Sequence, residues 1–269
     1  MRKPLLYVAM AGIVVALLVA GARYTQRVGE SLGPPAGAIQ LVSNPLPLPD
    51  FSATTLDGKR ITKQDLHGKV AIVNFWATWC GPCRKEIPDF IALQEKYEDK
   101  LVIVGFSVDE TGEEGVREFA AKYAMNYPVA MVTADLRQAF GRVYALPTSL
   151  VVDRDGMVVQ KHVGLMDSTI YEQEIRAVAG MPVNARIERV TDTGQVSLKN
   201  AAQATEIPGI DLSPLSPAQK RQVLERLNSE KCTCGCDYTL AECRINDAAC
   251  DVSLPKAKKV VEEIRGKIN

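Results

Sequence analysis

The chain has 269 residues, enough for about two domains. Its 32 basic residues are balanced by 32 acidic ones, and its apolar and aromatic fractions are ordinary for a globular protein. That balance excludes a strongly basic nucleic-acid binder and a polybasic membrane-surface protein.

The first segment carries an uncharged apolar run from Leu5 to Ala22, preceded by Arg2 and Lys3 and followed by Arg23. As a helix it would be about 27 Å long, close to the ~30 Å hydrocarbon core of a bilayer. The leading basic residues predict a cytoplasmic N-terminus and send the remainder outward. Residues 1–23 therefore read as a single-pass anchor in the cell membrane. A cleaved signal peptide is the alternative, with Ala20-Gly21-Ala22 as a loose cleavage site. The run exceeds the usual h-region of roughly 7–15 residues, which favours the anchor. Either reading puts the soluble part in the periplasm or another extracytoplasmic space, where cysteines persist as disulfides unless actively reduced.

Residues 24–44 read as a linker, and the stretch from Gly29 to Pro49 is rich in Gly, Pro and Ser, as a tether would be. From Phe51 the pattern alternates, with Asp57-Gly58 as a hairpin turn signal. A β run over 70–75 leads at once into Trp79-Cys80-Gly81-Pro82-Cys83, and a helical stripe follows over 84–100. Further on, the pattern predicts strands over 101–108 and 127–131 and helices over 113–124 and 135–144. Two more strands, 149–152 and 157–163, are joined by Asp155-Gly156, and a helix over 168–179 ends at Gly180 and Pro182. This order implies a mixed sheet covered by helices on both faces, an α/β domain spanning 45–182.

Residues 183–214 read as a second linker, with a small hairpin around Thr193-Gly194. Residues 215–269 form a helical Cys-rich module. Ser216-Pro217 marks a helix start, Thr239-Leu240-Ala241-Glu242 has the form of a capping box, and Ser253 opens a last helix. Five of the seven cysteines fall between Cys232 and Cys250. So small a module needs covalent or metal staples.

The Cys80/Cys83 pair carries the chemistry. Its position between a strand and a helix puts Cys80 at a helix N-terminus, where the macrodipole and free N–H groups stabilise the thiolate that attacks a disulfide. The two-residue spacer lets Cys83 reach back and resolve the mixed disulfide, and Pro82 in the first turn loses little through its missing N–H. Half of a zinc site is the rival reading. It lacks a partner pair nearer than about 150 residues, far beyond the usual ligand spacing. Peroxiredoxin chemistry is not supported, because Val73 and Ala77 stand where those enzymes carry Pro and Thr or Ser. His67 and His162 have no neighbouring acid in a triad pattern, which argues against a Cys–His hydrolase.

The segment from Asn74 through Cys80 and Cys83 to Pro88, with Leu146-Pro147-Thr148 downstream, resembles the TlpA/ResA/CcmG-type thioredoxin-like proteins. The resemblance covers about half the chain and implies a thioredoxin-like fold. It implies that Cys80 attacks, that Cys83 resolves, and that Pro147 is a cis proline packed against the disulfide. Leu146 would offer its backbone to a client strand, beside Trp79, Gly81 and Pro82. Glu86 matches a carboxylate associated with proton handling in this family; an exposed Glu favouring the helix N-terminus is the plainer reading. Asn74 stands where thioredoxins proper carry a buried Asp. No cofactor beyond the redox-active disulfide is implied.

The C-terminal cysteines, Cys232, Cys234, Cys236, Cys243 and Cys250, leave three readings open. They are structural disulfides, a zinc or Cu(I) site held by thiolates, or a redox set that exchanges with Cys80. The arrangement is similar to the CcmH-type thiol proteins of cytochrome c maturation, except that Cys-x-Cys-x-Cys replaces their Cys-x-x-Cys. Two functions follow as expectations. The first is a reductase of exported protein disulfides, with apocytochrome c among its clients and a membrane electron donor of the DsbD/CcdA type. Its Gly81-Pro82 dipeptide matches thioredoxin, at about −270 mV, better than a strong oxidant at about −120 mV. The alternative is a copper- or zinc-handling protein whose thioredoxin domain keeps its thiols reduced.

Overall fold

The computed structural model describes residues 37–110, 112–192 and 202–266. The apolar run at 5–22 and the Thr193-Gly194 turn lie outside those residues. Among the described residues, no helix is long and apolar enough to cross a membrane.

The chain begins with β1 (Ala38–Val42) and β2 (Leu46–Pro47), then the hairpin of β3 (Ser52–Thr54) and β4 (Arg60–Thr62) around Asp57-Gly58. The core unit follows as β5 (Val70–Trp76), α1 (Gly81–Lys96), β6 (Leu101–Ser107), α2 (Glu113–Lys122), β7 (Val129–Met131) and α3 (Ala134–Phe140). After these come β8 (Ala145–Leu146), β9 (Thr148–Val152), β10 (Met157–Val163) and α4 (Ser168–Val178). The central sheet has the order β2-β10-β9-β5-β6-β7, parallel from β5 to β7 and antiparallel from β5 to β2. This is the mixed α/β sheet of a thioredoxin-like fold.

Strand β5 is buried along its whole length, which is why its sequence is apolar at every position but Asn74, with no alternation. Its successive side chains still point to opposite faces. Phe75 packs against Phe140 of α3, while Asn74 and Trp76 meet Glu86 of α1 and Phe119 of α2. Helices thus cover both faces. On the Asn74 face, Phe90 of α1 and Tyr171 of α4 meet edge to face, an arrangement that binds the two helices beyond simple burial.

Two stretches read as linkers carry structure. Within the proposed tether, β1 pairs in parallel with β11 (Arg186–Val190). Ile39 and Leu41 of β1 are buried, a two-residue alternation masked by the surrounding Gly and Pro. In the second, β12 (Gln203–Ala204) pairs antiparallel with β8, and Ile207 and Leu212 are buried.

The C-terminal module is three helices, α5 (Pro217–Ser229), α6 (Leu240–Asn246) and α7 (Ser253–Gly266). Ser216 and Gln219 close a capping box on α5, and Thr239 and Glu242 close another on α6. Each cap is worth about 1 kcal/mol. Val223, Leu227, Leu240, Ala257, Val260 and Ile264 form a second core, which reaches the first domain at Ala145 and Val163. The helical Cys-rich region read from the sequence is present, and it sits on the first domain.

Candidate active site

Cys80 and Cys83 are joined as a disulfide at the start of α1. Cys80 is the N-cap residue, and the backbone N–H of Cys83 donates to its Sγ at 3.2 Å. No acidic side chain occupies the first turn, so nothing cancels the positive end of the helix dipole. On reduction that end stabilises a thiolate at Cys80. Gly81 and Pro82 are the first two residues of α1, where the backbone N–H groups need no helical partner. The loop from β5 to Cys80 is pinned by Asp109, whose carboxylate accepts from the Thr78 N–H (2.9 Å), the Thr78 hydroxyl (2.6 Å) and the Ser107 hydroxyl (2.8 Å). Asp109 is a positioning residue that the sequence pattern does not single out.

Glu86 lies one turn beyond Cys83 and is 1% exposed, which overturns the plainer reading of it as a surface carboxylate. The Tyr171 hydroxyl donates to its Oε1 at 2.9 Å and the Asn74 amide to its Oε2 at 3.1 Å. Asn74 also donates to the Ser149 hydroxyl at 3.0 Å. Burial raises the Glu86 pKa to about 8 against the opposing effect of these two hydrogen bonds. The position that thioredoxins proper give to a buried Asp is thus filled by an amide that holds a buried carboxyl from the neighbouring helix.

The Leu146–Pro147 peptide is cis. The register of β9 on β5 sets Thr148 opposite Phe75, so Pro147 falls level with the end of β5, from which the chain runs to Cys80. The Thr148 hydroxyl donates to the Ala145 carbonyl at 2.7 Å, and the Gly164 N–H donates to the Pro147 carbonyl at 2.8 Å, holding the turn from both sides.

The AhpC/TSA family pattern matches residues 46–161, the stretch that holds Cys80, Cys83, Glu86 and Pro147. The thioredoxin-like protein YneN of Bacillus subtilis is 39% identical over 129 residues, covering 47% of this chain and 75% of that protein. The thiol-disulfide oxidoreductase ResA of Bacillus cereus is 43% identical over 117 residues, covering 43% and 67%. The chain belongs to the AhpC/TSA thioredoxin-like family. Among solved structures, a thiol:disulfide interchange protein from Chlorobium tepidum is 36% identical, with a TM-score of 0.49, covering 51% of this chain and 99% of that one. Paired cysteines rather than a lone one set the chemistry, and the chain is a thioredoxin-like disulfide oxidoreductase of the ResA kind.

In this family member the C-terminal module lies over the active-site face. Gln203 of β12 stands opposite Leu146, and the Thr205 N–H donates to the Tyr144 carbonyl at 2.8 Å. The backbone edge of Leu146, expected to be free for a client, is therefore already paired within the chain. The side chain of Asn228 on α5 clamps this segment, accepting from the Ala204 N–H (2.6 Å) and donating to the Ala204 carbonyl (2.9 Å). Trp79 is half-buried, lining a small cleft with Gln203, Arg221 and Leu224, and Cys80 is 0% exposed. A larger cavity of ≈ 300 Å³ lies between Trp79, Val108 and Leu136 on one side and Lys220 and Leu224 on the other.

His162 is buried with its Nε2 2.8 Å from Glu174 of α4, and its ring meets Tyr171 edge to face. The sequence supplied no acid for this histidine, because Glu174 is brought to it by α4 packing on β10. His67, by contrast, is exposed. The five C-terminal cysteines carry no disulfide in this structure, and none is joined to Cys80 or Cys83.

Proposed function

We propose that the protein is a membrane-anchored, extracytoplasmic reductase of disulfides in exported proteins. The observation that carries the chemistry is the Cys80–Cys83 disulfide at the N-terminus of α1, with the buried carboxyl of Glu86 one turn behind it. The reducing direction is supported by the Gly81-Pro82 dipeptide, and the location by the charged flanks and length of the run at 5–22. Electrons would arrive from a membrane thiol donor of the DsbD/CcdA type and leave to a client such as apocytochrome c, the class implied by the family resemblance.

In each turnover the Cys80 thiolate attacks one sulfur of a client disulfide and expels the other as a thiolate. The Cys83 thiolate then attacks Cys80 and releases the reduced client, leaving Cys80–Cys83 oxidised. Replacing Cys83 by Ser stops the cycle after the first step. Mass spectrometry of Cys83→Ser expressed in its own cell should find exported cysteine proteins linked to Cys80. Recovery of only cytoplasmic partners would sink the location, and recovery of none would sink the reductase reading.

A client strand must take the place of residues 203–204 to reach Leu146. Asn228→Ala removes both clamp bonds to Ala204. The reduced variant should be alkylated at Cys80 several-fold faster than wild type and should reduce insulin faster. Unchanged alkylation would mean that the segment does not limit access.

A further inference from the structure

The C-terminal module has a feature that disulfide exchange does not use. The Sγ atoms of Cys232, Cys234, Cys243 and Cys250 all lie within 4.8 Å of one another. They come from three places: the 232–236 loop, the middle of α6, and the turn before α7. Cys232 and Cys234 are 3.3 Å apart, and Cys234 and Cys243 are 3.8 Å apart. Four thiolates around one zinc ion at about 2.3 Å place their sulfurs about 3.8 Å apart. Two structural disulfides would need sulfurs paired at about 2.05 Å, with no reason for the pairs to share a centre. Here all four sulfurs lie within 4.8 Å of one another, close to that tetrathiolate spacing.

The local backbone is shaped for this convergence. Lys231 and Thr239 form an isolated antiparallel bridge, and the Cys232 N–H donates to the Tyr238 carbonyl at 2.8 Å. Between them the chain doubles back through Gly235 (φ 93°) and Asp237 (φ 58°), left-handed positions suited to Gly and tolerated by Asp. That turn brings Cys232 and Cys234 to the same side. On the other side, the buried Arg244 donates to the carbonyls of Pro208 (3.0 Å) and Ala248 (2.8 Å), which fixes the turn leading to Cys250. Cys232, Cys243 and Cys250 are buried and Cys234 is exposed, so the ion would sit at the rim of the second core. Cys236 is 3.0 Å from Cys234 but outside the four-way group.

We propose that Cys232, Cys234, Cys243 and Cys250 bind one zinc ion as a structural tetrathiolate site. A closed set of four sulfurs suits zinc and leaves no open position for catalysis. Binding displaces the thiol protons to water and changes no oxidation state. A zinc ion on four thiolates carries a net double negative charge, and the module places Lys231, Arg244 and Lys256 on the segments that supply the ligands. The ion would tie together α6, the 232–236 loop and the start of α7, the staple that so small a helical module requires.

The test is elemental analysis of the full chain, purified with its thiols reduced and zinc supplied. About one zinc per chain is expected, falling at least fivefold in Cys243→Ser and staying near one in Cys236→Ser and in Cys80→Ser. If Cys243→Ser fails to fold, alkylation of the wild-type chain replaces it. Among the five C-terminal cysteines Cys236 should then react first, and the four ligands only after a chelator removes the zinc. A zinc-free chain, copper or iron in place of zinc, disulfides among the four cysteines, or loss of zinc in Cys236→Ser would each overturn the assignment. The Cys80→Ser arm separates this site from the reductase reading, since its zinc content does not depend on redox turnover.

Discussion

Replacing Cys80 by Ser is expected to lower the rate of insulin disulfide reduction by at least roughly 10³-fold, to the uncatalysed level. The sulfur at residue 80 is the one held at the N-cap of α1, accepting from the Cys83 N–H. A serine hydroxyl there keeps the cap but cannot form the mixed disulfide. Cys83→Ser should behave differently. It retains the attacking sulfur and gives a burst of about one equivalent of client thiolate before it stalls, the fingerprint of an accumulated covalent intermediate. Stopped assays on the two variants, with thiol release followed from the first turnover, distinguish them. Full steady-state activity in Cys80→Ser would mean that the nucleophile has been misassigned.

Glu86→Gln is expected to remove a pH-dependent loss of stability amounting to a few kcal/mol, on the order of 1.4 kcal/mol for each unit of pKa displacement. The folded-state pKa is about 8, raised by burial from an ordinary value of 4.5. Below pH 4.5 both folded and unfolded chains hold this proton, and the group has no effect on the balance. Between 4.5 and about 8 the folded chain keeps a proton that the unfolded chain has released, so the unfolding free energy falls as pH rises. Above about 8 the loss is complete and constant. Urea unfolding of wild type and Glu86→Gln at pH 4, 6 and 8.5 should give curves that separate with rising pH, the variant becoming the more stable.

We propose that the same proton bears on catalysis: with its pKa raised to about 8, Glu86 one turn from Cys83 would be a neutral acid below that pH and a proton-accepting carboxylate above it. Release of client from the mixed disulfide should therefore quicken through pH 8 in wild type and lose that limb in Glu86→Gln, with a rate loss of at least about tenfold. A wild-type profile with no such limb would leave Glu86 as a buried structural acid, held by Tyr171 and Asn74 for packing alone.

Much of this fold is carried by short-range signals. The turns at Asp57-Gly58 and Asp155-Gly156, the caps at Ser216 and Thr239, and the run of β5, apolar but for Asn74, each depend on residues within a few positions of one another. The placement of Cys80 at a helix N-terminus is of the same kind, since strand, tight loop and helix are contiguous. Local sequence also singled out Cys80 and Cys83 through one motif, while the family resemblance pointed to Glu86 and Pro147. Strand β1 escaped because its buried positions, Ile39, Leu41 and Val42, follow a Gly- and Pro-rich stretch, and its partner β11 is nearly 150 residues away.

What the sequence by itself determined is therefore the chemistry: a thiol pair at a helix start. Only the tertiary structure decided the surroundings of that chemistry. It buried Glu86 between Asn74 and Tyr171, joined His162 to Glu174, laid Gln203 along Leu146, and brought four of the five C-terminal sulfurs within 4.8 Å of one another. The physical reason is common to all four. Periodicity tells which face of an element is turned inward, but not which distant segment covers it. The desolvation that lifts the Glu86 pKa, the pairing that closes the Leu146 edge and the convergence of the thiols are each set by that distant segment.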